Sequence, residues 1–87
     1  MITLTATPDK NNNGMWYFTC PLHGTPDEPF EHHFREPSSV ALAIDTLKSH
    51  MDDKHPGVKV RIQINGKHII HTTYTATTVV QTKGDLL

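Results

Sequence analysis

The stretch ITLTATP, from Ile2 to Pro8, alternates without a break. Ile2, Leu4 and Ala6 point one way and Thr3, Thr5 and Thr7 the other, which is the period of a half-buried strand. Pro8 ends it. DKNNNG then supplies a polar turn in which Asn13 and Gly14 suit positive φ, and MWYFTC follows as a strand dense in aromatics, with Trp16, Phe18 and Cys20 on one face. These two strands predict a hairpin. The prolines from Pro21 to Pro29 predict a connection without regular structure, and FEHHFRE predicts a third short strand with Phe30, His32 and Phe34 on one face.

In PSSVALAIDTLKSHMDDKHPG the period changes. Val40, Ala43, Ile44, Leu47 and Met51 recur at three- and four-residue spacing, while Asp45, Lys48, Ser49 and Asp52 take the polar side. That is one helix, capped by Ser38 or Ser39 and stopped by His55-Pro56-Gly57. VKVRIQINGKHIIHTTY returns to alternation around Asn65-Gly66, the composition of a two-residue hairpin turn. A type I′ turn there predicts pairs Ile64 with Lys67, Ile62 with Ile69 and Val60 with His71. Val58, Val60, Ile62 and Ile64 then face the helix, and Lys59, Arg61 and Gln63 face outward. The run from Lys67 to Thr82 exceeds an ordinary strand, so a bend near Thr75 to Thr78 is expected, with TVVQT as a further strand or arm and residues 83–87 frayed.

The expected architecture is α+β: an antiparallel sheet with elements in the order β-β-β-α-β-β and one helix packed on one face. With 87 residues, the chain is read as a single domain, 1–87. The hydrophobic fraction of 36% predicts a thin core, one that a dimer, a partner or a metal would help to close. A formal net charge of −1 lacks the cationic excess of a general nucleic-acid binder, so direct nucleic-acid binding is not expected. The single cysteine excludes an internal disulfide, and MITLTATP has neither the basic nor the apolar region of a secretory leader. No apolar run approaches the roughly 18 residues of a membrane span, and a cytoplasmic location is expected.

Seven histidines are the compositional outlier, and three of them fall in CPLHGTPDEPFEHHF. Cys20 and His23 form a C-x-x-H pair able to reach one ion from a tight turn, with His32 or His33 as a third ligand. Because His32 and His33 are adjacent on a strand, only one of them can join. Cys20, His23 and His32 are therefore the candidate zinc ligands, with Asp27, Glu28 or His71 as the fourth. The competing reading makes Cys20 a small apolar core residue beside Trp16 and Phe18, with no cofactor at all. A thiol nucleophile would need an oxyanion hole and a pocket that one helix on one sheet rarely forms, and no phosphate-binding glycine motif is present, so no enzyme is expected.

Lys59, Arg61, Lys67, His68 and Tyr74 fall on the expected outward face of the last hairpin and make up the candidate partner surface, with a nucleic-acid-binding sheet face, its cations meeting phosphate and Tyr74 stacking, as an alternative beside the zinc site. The strand ITLTATP, the aromatic second strand, the helix SSVALAIDTLKSHM and the hairpin VKVRIQINGKHII together resemble small phage- and prophage-encoded accessory proteins, including some type I anti-CRISPR proteins. The resemblance implies a phage or mobile-element origin and a non-enzymatic inhibitor that binds a host defence complex such as a CRISPR surveillance complex. The expected activity is accordingly that of a protein-binding module, with homodimerisation through an open sheet face as a further option.

Overall fold

The computed structural model describes residues 1–25 and 27–77. The elements are β1 (Ile2–Pro8), β2 (Met15–Gly24), β3 (Pro29–Arg35), α1 (Val40–Lys54), β4 (Lys59–Asn65) and β5 (Ile69–Thr75). They form a small α+β unit with one helix on a five-stranded sheet of order β3-β2-β1-β4-β5.

The sheet is mixed, which corrects the all-antiparallel expectation. β1 lies in the middle and runs parallel to β4, with Ile2 opposite Val60, Leu4 opposite Ile62 and Ala6 opposite Ile64. Two hairpins, β2–β3 and β4–β5, therefore flank a central strand, and the chain must cross from one wing to the other through α1. A parallel neighbour needs such a crossover, and the helix supplies it.

Alternation decides which face is buried. Leu4, Ala6, Phe18, Cys20, Val60, Ile62 and Ile64 are each at most 2% exposed, and they meet Ala43, Leu47 and Met51 of the helix. Burying each of the larger aliphatic or aromatic side chains contributes about 1.5–3 kcal/mol. Ser39 caps α1, its Oγ accepting the Leu42 N–H at 3.3 Å, and His55 forms the C-cap, its N–H donating to the Met51 carbonyl at 2.8 Å. The helix lies over β1 and β4. Its other flank stands beside β2 and β3, leaving a groove between them.

The β4–β5 register differs from the two-residue expectation. Asn65 pairs with Ile69 and Ile64 with Ile70, so Gly66, Lys67 and His68 form a three-residue loop. Neither Asn65 nor Gly66 has the positive φ that a type I′ turn requires. Sliding by an odd number of residues reverses the faces of β5: Ile69 is 63% exposed while Ile70 packs against the core. A methyl group at Gly66 would meet only ordinary contacts, the nearest being the Trp16 ring at 3.5 Å. Gly66→Ala is therefore expected to leave denaturant stability within about 0.5 kcal/mol of wild type. Gly14→Ala, at φ 82°, should cost about 1–2 kcal/mol.

The same reversal moves Tyr74. It lies on the helix side opposite Val60, not beside Lys59 and Arg61 as expected. Its hydroxyl donates to Asp52 at 2.7 Å, and the Thr77 N–H donates to the same carboxylate at 2.7 Å. The Tyr74 hydrogen bond, then that from Thr77, holds the Asp52 pKa below its ordinary value. A depressed carboxylate pKa contributes stability above the unfolded-state value, and that stability is lost as pH falls through the folded-state value. Tyr74→Phe should accordingly be less stable than wild type at neutral pH, and the gap should narrow in urea titrations at about pH 2. A gap unchanged by acid would remove Asp52 from the account. The expected TVVQT strand and the frayed end fall on residues 78–87, outside the described residues.

Candidate metal centre

Cys20 and His23 are three residues apart, so in a regular strand their side chains would point to opposite faces. β2 is not regular there. Thr19 pairs with Glu31 and Gly24 with Pro29, so five steps along β2 face two along β3. Strand geometry continues through Pro21 to Gly24 where a proline-broken connection was expected, because β2 bulges outward instead of ending. The bulge absorbs the mismatch in parity, and both Cys20 and His23 end on the helix side.

There they meet two residues from the helix end. His50 stands on the flank of α1 that faces β2, and its ring centroid is 5.0 Å from that of Phe18. His55 is the C-cap itself. Cys20, His23, His50 and His55 each offer one ligand atom, and the four atoms all lie within 4.8 Å of one another. The Cys20 Sγ is 3.6 Å from the His55 Nε2, which in turn is 2.8 Å from the His23 Nε2.

The chemistry of these four groups is matched to a soft or borderline cation. A tetrahedron built on zinc bond lengths has S···N edges of about 3.6 Å and N···N edges of about 3.3 Å. The sulfur edge already has that length, and the His23–His55 pair would open by about half an ångström. Without a cation the arrangement carries a cost. One of the two close Nε2 atoms must donate and the other accept, and the His50 Nε2 is buried with no hydrogen-bond partner among the described residues. An unpaired buried polar atom of this kind costs about 1–3 kcal/mol.

Burial is also the main reason the His50 and His55 rings resist protonation. It pushes the His50 pKa down to about 4, aided by the charges of His55, His23, His32 and Lys54. His55 is lowered by burial and then by His23. The Cys20 thiol is raised by burial, with backbone hydrogen bonds at Leu22 and His23 pulling the other way. Neutral imidazoles present lone pairs, which is the ligating form. A thiolate in this setting needs a cation beside it, and the carbonyl end of α1 adds a partial negative charge that favours one.

The remaining expected site residues lie elsewhere. His32 is outside the four-residue group; it is exposed on β3, its ring 5.1 Å from that of Phe18. His33 is on the opposite sheet face, within 3.6 Å of Asp9 and 3.4 Å of Glu31. Asp27 and Glu28 are exposed in the β2–β3 loop, and His71 is exposed opposite Gln63. Lys59 and Arg61 face away from the helix, and Lys67 and His68 are exposed in the β4–β5 loop. His50 and His55 were missed because they stand about thirty positions from Cys20 along the chain. One signal was available: His50 follows Leu47 by three, at the edge of the helix's apolar stripe, where an unshielded imidazole needs a partner.

No family model, curated protein or solved structure matches the chain. Among the described residues no helix is long and apolar enough to cross a membrane.

Proposed function

We propose that this protein is a small zinc-binding α+β domain in which Cys20, His23, His50 and His55 hold one ion. The observation that carries the reading is the convergence of four ligand atoms within 4.8 Å, drawn from a strand bulge and a helix end. The ion ties the β2 bulge to the C-terminus of α1. One thiolate and three imidazoles suit zinc, and the closed set of four is that of a stabilising ion more than a catalytic one. The test is metal content. Protein purified in trace-metal buffer should carry about one zinc per chain, and Cys20→Ser should carry well under half of that. Equal zinc content in both would overturn the reading.

A second reading concerns what the clamped domain does. The sheet face turned away from α1 is left uncovered by the described residues, with Lys59 and Arg61 beside Thr73 and Thr75 across the β4–β5 pair. That exposure supports a protein-binding module, with a host defence complex such as a CRISPR surveillance complex as the proposed partner. Lys59→Glu/Arg61→Glu should abolish relief of immunity in a plaque assay on a CRISPR-immune host. Immunity undiminished by the wild-type chain across several system types would sink that partner.

A further inference from the structure

The groove between α1 and the β2–β3 wing has a volume of about 700 Å³, within the range of small-molecule sites. Phe18 and Phe30 form its apolar floor, and His32 and Ser49 stand on its walls. Two of the four metal-centre residues, His23 and His50, also line it.

The four residues are not equivalent. Cys20, His55 and His23 form a tight chain of contacts at 3.6 and 2.8 Å. His50 is set farther off, its ring centroid 5.2 Å from both His23 and His55, against 4.5 Å between those two. Its Nε2 is the buried atom with no partner. A side chain standing on a helix can leave such a position by rotating about its own bonds, without disturbing the strand bulge or the helix cap.

On the reading that these residues hold a metal, we propose that the groove admits a small anionic donor, a carboxylate or thiolate on an apolar body, which takes the place of His50 on the ion. Three retained protein ligands and one exchangeable position is the arrangement of zinc sites that act on ligands. Charge favours an anion because a divalent ion with one thiolate keeps a net positive charge, while Lys54 and Asp53, both on the rim, offset each other. Asp53, the acid on that rim, sits 3.4 Å from the Lys54 ammonium. The aromatic floor accepts the apolar body.

Cobalt(II) in place of zinc makes the coordination visible, with thiocyanate and benzoate as probes. The wild-type protein should show the absorption bands of a tetrahedral cobalt thiolate, and each anion should shift them saturably. His50→Ala should keep cobalt and bind thiocyanate about ten-fold more tightly, since no side chain competes for the position. Ser49→Trp, which fills the groove and leaves all four ligands in place, should keep the wild-type bands and lose the response to benzoate. Bands that ignore both anions, or a Ser49→Trp protein that responds to benzoate as wild type does, overturn the groove proposal while the metal reading stands. Absence of cobalt bands from every protein overturns the metal reading, and this proposal with it.

Discussion

Chelation of the purified protein is expected to lower its Tm by about 10–20 °C. An ion bound at a hundred times its dissociation constant stabilises the folded state by about 2.7 kcal/mol. In a domain of this length each kcal/mol moves Tm by about 4–8 °C. The expected shift follows, and it grows with affinity. Two features make this chain sensitive. Among the described residues its core is one layer of side chains between a sheet and one helix, and of the β2–β3 wing only Phe18 and Cys20 are fully buried in it. The buried, unpaired His50 Nε2 of the metal-free protein is one source of that affinity. Cys20→Ser should melt where the chelated wild type does and should not respond to chelator. A wild-type Tm unchanged by excess chelator, with the metal shown to be gone, would mean that the four residues meet for packing alone.

Phe18→Ala is the second large effect. Phe18 is 1% exposed, and its ring packs against Phe30, Phe34, His32 and His50 at centroid distances of 5.0–6.3 Å. Truncating a buried phenylalanine costs about 3–5 kcal/mol, a large part of the stability of so small a domain. Loss of cooperative melting in the chelated variant is the expected result. Because Phe18 supports His50, and metal binding is coupled to folding, zinc should restore a melting transition to Phe18→Ala. Phe18→Leu, which keeps most of the volume, should lose less than about 1.5 kcal/mol and fold with or without zinc. A Phe18→Ala protein as stable as wild type would contradict the packing on which the site rests.

Much of the fold was legible because its signals are local. The alternation in ITLTATP and VKVRIQI, the three-four spacing from Ala43 to Met51, and the Ser39 cap each express a short-range rule, and each appears at its expected position. The β4–β5 loop was misjudged because Asn65-Gly66 is only a preference. The packing of Ile70 and Tyr74 against the helix side outweighs it and moves the register. The site was legible in half. C-x-x-H drew attention to Cys20 and His23, but alternation assigned Cys20 to the core beside Trp16 and Phe18, and His32 offered itself as the nearest further ligand.

By itself, then, the sequence determined that there would be several half-buried strands and one amphipathic helix, with Cys20, Trp16 and Phe18 on a common face, since side-chain direction follows from the period of two or 3.6. The tertiary structure alone decided that β1 pairs in parallel with β4, that β2 bulges between Thr19 and Gly24, and that the helix ends above that bulge. These choices depend on contacts between residues far apart in the chain, whose energies no local period encodes. They turn CPLHGTPDEPFEHHF from a self-contained candidate ligand cluster into one side of a candidate site whose other side, His50 and His55, comes from the end of the helix.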